Sequence, residues 1–175
     1  MRSPLVAMFL FCVSAAVAAG DLPPGWRLPV HKELADEPLR ERSANGYTKV
    51  VADFNGDGLD DEALLLKSTT FSGEALWVRL SDPNADHRWV KLAEIRWGKE
   101  YPNVDLGMGI DLVPPGVHAY ACFDGATECD WSDRKFRPKL RLQDPALLYF
   151  RFESAASMFF WSKKKQRFLR VWLSD

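Results

Sequence analysis

Lys49-Val50-Val51-Ala52-Asp53-Phe54-Asn55-Gly56-Asp57-Gly58-Leu59-Asp60-Asp61-Glu62-Ala63-Leu64-Leu65-Leu66 sets two short apolar runs on either side of a loop rich in oxygen side chains. Asn-Gly and Asp-Gly are the strongest short hairpin signals. The stretch therefore predicts two antiparallel strands joined by the loop. Asp53, Asn55, Asp57 and Asp61 fall at loop positions one, three, five and nine, with Gly58 at position six. Oxygens from alternate residues then converge, the Leu59 carbonyl adds another, and the glycine permits the sharp turn, as a hard cation such as calcium requires. Packed together without a cation, Asp53, Asp57 and Asp61 would repel one another. The competing reading is a metal-free acidic hairpin turn.

A helix-loop-helix calcium site needs a bidentate glutamate at position twelve, where this chain has Leu64, and it needs helical flanks. These flanks are short, β-branched or leucine-rich. Over residues 47–67 the segment resembles the strand-loop-strand calcium loops of the FG-GAP/integrin-propeller and VCBS-type repeats. That resemblance implies one bound calcium ion, held by Asp53, Asn55, Asp57, the Leu59 carbonyl and Asp61. With a single copy of the loop, the ion is expected to act as a structural clip on a hairpin.

Arg2, an apolar run from Leu5 to Val17 and small residues from Ala15 to Gly20 have the order of a cleavable export signal over residues 1–19. The run is shorter than the roughly 20 residues a membrane span needs. Cys12 falls inside it and is expected to be discarded. Cys122 and Cys129 remain, and an even count in an oxidising compartment reads as one disulfide. The protein is thus expected in the periplasm or outside the cell. About 155 residues follow the signal, enough for one domain with a sizeable core. A hydrophobic fraction of 47% excludes a disordered chain.

Residues 20–46 read as an irregular arm, and residues 47–175 as a β-rich domain. Strands are predicted at Tyr47–Asp53, Glu62–Lys67, Ala75–Leu80, Trp89–Arg96, Ile110–Val113, Val117–Cys122, Leu147–Phe152, Met158–Ser162 and Phe168–Leu173. Turn signals such as Ser72-Gly73, Asp82-Pro83-Asn84 and Pro114-Pro115-Gly116 separate them. The last three form a meander that turns at Lys163-Lys164-Lys165-Gln166. Short strands at this spacing predict an all-β fold, a single antiparallel sandwich or open-barrel-like domain.

Charge is uneven. Residues 21–133 hold 11 Lys/Arg against 21 Asp/Glu, whereas residues 134–175 hold 11 against 3. Either basic C-terminal strands pair with acidic N-terminal ones in one sheet, or a basic surface meets an acidic partner. A near-neutral, exported chain without a nucleic-acid motif argues against nucleic-acid binding. There are only three histidines, His31, His87 and His118, and no nucleophile elbow, zincin helix or phosphate-binding loop.

Trp77 and Trp172 alternate against aliphatic stripes, and Trp131 follows the disulfide loop. With Lys163, Lys164 and Lys165 they form the candidate recognition set; otherwise the tryptophans are core. The expected function is a non-catalytic, exported calcium-binding domain that binds a protein partner, a toxin or wall-active enzyme, in the manner of an inhibitor or immunity protein. The alternatives are a module that binds an envelope glycan and, behind it, a hydrolase.

Overall fold

In the strand Asp61–Ser68 all eight residues are buried, as an Ala-Leu-Leu-Leu run requires when both faces of a strand are covered. It is β3 of the computed structural model, which describes residues 22–84 and 86–174. The expected export signal and Cys12 lie outside the described residues. Around β3 stand β1 (Trp26–Arg27), β2 (Lys49–Ala52), β4 (Gly73–Leu80) and β5 (Arg88–Arg96), all antiparallel. β1 and β2 share one edge of β3, at opposite ends, so this sheet is four strand positions wide.

The second sheet runs β6 (Met108–Val113), β10 (Ala146–Arg151), β11 (Ala156–Ser162), β12 (Arg167–Ser174), β8 (Cys122–Phe123), five positions wide. A ribbon of β7 (Gly116–Ala119) and β9 (Lys139–Leu142) completes the chain. The fold is all-β, and its sheets remain open, so it is a sandwich and not a closed barrel.

Alternation decides the layers. Ala63, Leu65, Leu76, Val78 and Leu80 of the first sheet meet Ile110, Leu147, Tyr149 and Phe159 of the second in one buried core. On the other face of the second sheet, Ala146, Met158, Phe160 and Val171 join Val113 and Leu142 in a second core. The expected strands are all present, with two differences. The strand expected from Tyr47 begins at Lys49, and the one expected over Val117–Cys122 breaks into β7 and β8. The arm contributes β1 and two 3₁₀ turns, His31–Glu33 and Pro38–Arg42. Strands of the acidic segment 21–133 and the basic segment 134–175 do share a sheet, since β6 pairs with β10, β8 with β12 and, in the ribbon, β7 with β9, but no acid and base stand directly opposite in these pairs.

The segment entering β6 carries the chain from one sheet to the other, and buried charges hold it. Glu74, 1% exposed on β4, accepts the N–H groups of Gly107 (2.9 Å) and Met108 (3.1 Å). The buried Arg40 guanidinium donates to the carbonyls of Gly46 (2.8 Å), Leu106 (2.6 Å) and Met108 (3.0 Å). Lys67 donates to the Val104 carbonyl. Leu106, fully buried, also bonds through its N–H to the Glu33 carbonyl (2.7 Å). Burial pushes the Glu74 carboxyl up, against these two N–H bonds and the nearby Lys67 and Arg40 cations.

Each buried N–H left without an acceptor costs about 1–3 kcal/mol. Glu74→Ala strands two of them, so urea unfolding is expected to show a loss of roughly 2–5 kcal/mol. Leu28, which is exposed, provides a control in Leu28→Ala, with little change.

The arm is pinned by Arg27 and Glu33, whose side chains form a two-pronged ion pair. Arg27 and the Val30 N–H hold the Glu33 carboxyl at about 2, below its ordinary 4.5. This contribution is complete above the ordinary value and is lost as pH falls toward 2. Glu33→Gln is therefore expected to flatten the acid limb of a stability–pH curve, by about 1 kcal/mol or less because the pair is partly solvated.

Candidate functional site

The 53–61 loop turns on Gly56 and Gly58, with φ of 75° and 88°, values glycine adopts without steric cost. Its side chains fold inward onto its own backbone. The Asp53 carboxylate accepts the N–H groups of Gly56 (2.7 Å), Asp57 (3.2 Å) and Gly58 (2.8 Å). Asn55 accepts from the Asp57 N–H (2.9 Å) and donates to the Asp57 carboxylate (2.8 Å). Asp57 in turn accepts the Leu59 N–H (2.8 Å). Asp53, Asn55 and Asp57 are thus brought together on one tight loop.

Asp61 has a different role. It is fully buried, and its two oxygens accept the N–H groups of Phe54 (3.0 Å) and Ser81 (2.9 Å). It ties the loop's start to the end of β4. Burial pushes its carboxyl up to about 6, and the charges of Asp57 and Asp53 add to the rise. Among the described residues no three His, Cys, Asp or Glu side chains are grouped to hold a metal ion. In this arrangement Asp53, Asn55 and Asp57 stand on the loop, while Asp61 is turned inward onto the Phe54 and Ser81 N–H groups.

The loop tip rests on the second sheet. A Cβ built on Gly56 would lie 2.6 Å from the Lys163 ammonium and 2.7 Å from the Asp144 carboxylate, which form an ion pair of 2.9 Å. Lys163 therefore belongs to the loop's surroundings. Lys164 and Lys165 are exposed beside it on the β11–β12 turn.

The remaining recognition candidates separate. Trp77 stands on the outer face of the first sheet, edge-on between Trp26 (5.8 Å) and Trp89 (6.4 Å), with the Lys91 ammonium 5.7 Å from its ring. Trp172, on the inner face of β12, donates its indole N–H to Asp124 (3.1 Å) and is stacked by Arg170 at 3.9 Å. Trp131 is exposed, with Arg137 6.0 Å from its ring. Cys122 and Cys129 form the disulfide, Cα atoms 4.8 Å apart, which closes the loop after β8. His31 is exposed, His87 packs on Trp89 (5.9 Å), and His118 Nε2 bonds the Pro114 carbonyl (2.9 Å).

Sequence reading missed Trp26 and Trp89 as neighbours of Trp77. It also missed Arg170, although Arg170 has the same strand parity as Phe168 and Trp172. No protein-family model, curated protein or solved structure matches the chain.

Two aspartates of the loop are expected to separate cleanly by denaturation without added metal. Asp61→Ala leaves two buried backbone N–H groups unmet and is expected to cost roughly 2–5 kcal/mol. Asp57→Ala, at an exposed position, is expected to cost within about 0.5 kcal/mol.

Proposed function

We propose that the chain is an exported, non-catalytic β-sandwich that binds a protein partner, in the manner of an inhibitor or immunity protein, with calcium clipping the 53–61 loop. The observation that carries the partner reading is the outer face of the first sheet. Trp26, Trp77 and Trp89 form a half-exposed row there, fixed on three strands and continued by Phe71 at 5.7 Å from Trp26. Beneath the row lie the buried Leu64, Leu66 and Ala75. Around it are Lys91 with Glu94, and Glu62 with Lys49 and Arg79. Rigid aromatic anchors inside a charged rim have the composition of a protein-binding hot spot.

An envelope glycan would be stacked best by coplanar rings. The Trp26–Trp77 and Trp77–Trp89 planes meet at 65° and 85°, which favours the protein reading. Export is supported by the disulfide. Among the described residues no helix is long and apolar enough to cross a membrane.

Calcium is supported by the convergence of Asp53, Asn55 and Asp57 on one loop, whose negative charge a divalent ion would offset. Calorimetric titration of the mature protein is expected to show one site per chain, with a dissociation constant on the order of 10⁻⁴–10⁻³ M. Calcium is expected to raise the melting temperature of the wild type and not of Asp57→Ala; no heat and no shift would leave the loop a metal-free turn. For the partner, stoichiometric complexes with envelope proteins are expected to survive Trp131→Ala and to be lost in Trp26→Ala. Retention on cell-wall polysaccharide without a protein complex would transfer the function to glycan binding.

A further inference from the structure

The two sheets differ in width, and the difference falls in one place. β6, an edge of the five-position sheet, lies over β2 and β3 at one edge of the four-position sheet. Counted across from that side, the second sheet extends beyond β5 by one strand. Among the described residues β5 pairs with β4 alone, so no strand lies along the outer edge of Val90–Leu92. Between this edge and β12 lies a cleft of about 730 Å³.

The floor of the cleft, formed by β12, is unusual for the inside of a sandwich. The Arg170 guanidinium lies 3.9 Å from the Trp172 ring, 5.2 Å from Phe159 and 5.8 Å from Tyr149. Its Nε is buried and has no hydrogen-bond partner among the described residues. Arg170 makes no ion pair within 4.0 Å there, and neither do Arg167 and Lys165, which also line the cleft. Asp124, the lining's one carboxylate among the described residues, is engaged by the Trp172 indole. Asp124 does act on Arg170 as a counter-charge, but with Arg167 and Lys165 the lining sets three cations outside any ion pair against one carboxylate, a surplus that further carboxylates would offset.

We infer that the cleft is the docking site for an extended acidic segment of a partner polypeptide, which adds as a fifth strand to the free edge of β5. Main-chain hydrogen bonds to β5 supply the register. Carboxylates on the inward side of the added strand pair with Arg170, whose planar fork suits them, and with Arg167 and Lys165 nearer the mouth. Phe168, also on the lining and on the inner face of β12, covers the strand's aliphatic carbons. A polypeptide is favoured over a phosphate polymer because only a polypeptide uses the β5 edge. The inference deepens the partner-binding reading by naming a chemistry for one segment of the partner. It concerns a different surface from the tryptophan row.

The probe is the capped peptide Glu-Thr-Glu-Thr-Glu-Thr-Glu, with Lys-Thr-Lys-Thr-Lys-Thr-Lys and inorganic polyphosphate as comparisons. Binding to the full mature protein is followed by tryptophan fluorescence and by hydrogen exchange of the β5 amides. The acidic peptide is expected to bind saturably and to slow exchange along Val90–Leu92. Arg170→Gln is expected to weaken it about tenfold or more. Arg167→Gln, at an exposed position that does not support the core, is expected to weaken it severalfold while the melting temperature stays unchanged.

Equal binding of the lysine peptide, binding without β5 protection, or no effect of either arginine substitution would overturn the inference. Polyphosphate binding without peptide binding would do the same and make the cleft a polyanion site. Because the assay contains no natural partner, its failure leaves complexes lost in Trp26→Ala standing. Loss of those complexes as a class leaves a positive peptide result standing.

Discussion

The crossing from β5 to β6 is the constraint on which the rest of the structure depends. The connection runs mostly over the surface and enters the interior only at its end, where each amide needs a partner. Leu106 lies there at full burial. Its neighbours' N–H groups go to the Glu74 carboxylate, and the carbonyls go to Arg40 and Lys67. Three charged side chains from three separate parts of the chain thus stand in for a missing strand. They also join the arm to both sheets, because Arg40 lies on the arm and Glu74 on β4. The Arg40 guanidinium further packs 4.7 Å from the Phe152 ring, beyond the end of β10.

Once the crossing is fixed, alternation does the rest, and alternation is also what is legible in the sequence. Leu76, Val78 and Leu80 read as one face of a strand, and the structure buries them together. The meander of β10, β11 and β12 is equally plain from its period and its lysine turn. β1 and β8, two residues each, carry too little pattern to be seen. β9 (Lys-Leu-Arg-Leu) alternates but sits among so many basic residues that it reads as loop. Arg40 has no local signal at all, since its partners lie up to 68 residues away.

Strand parity carries a further signal, one that hydrophobic pattern alone passes over. Glu74 shares a face with Leu76 and Val78, and Lys67 with Ala63 and Leu65, so alternation by itself directs both charges inward. Asp61 has that same inward parity. Spacing along the loop places it among ion ligands, whereas the strand it begins draws it under the loop, onto the N–H groups of Phe54 and Ser81. Two periodicities overlap at this residue, and position in β3 governs its orientation here. Asp53, Asn55 and Asp57 belong to the loop alone and turn onto its own backbone N–H groups.

The uneven charge of the chain then has a structural meaning. In the first sheet and its arm, carboxylates are matched locally: Glu33 by Arg27, Glu62 by Lys49 and Arg79, Glu94 by Lys91 and Arg96. The C-terminal region has 11 bases and only 3 acids, and Asp144 is taken by Lys163 under the 53–61 loop. β6 and β8 stand beside these strands, but no carboxylate lies directly opposite a base in their pairing, and positive charge is left over on the second sheet. Over most of that surface water can solvate it at little cost. On β12 the inward parity of Arg170 removes that option and places the guanidinium among Tyr149, Phe159 and Trp172. The same sheet is one strand wider than its partner at that edge. Surplus charge, aromatic walls and an unpaired strand edge thus meet at one cleft, and an acidic strand is the single element that would satisfy all three.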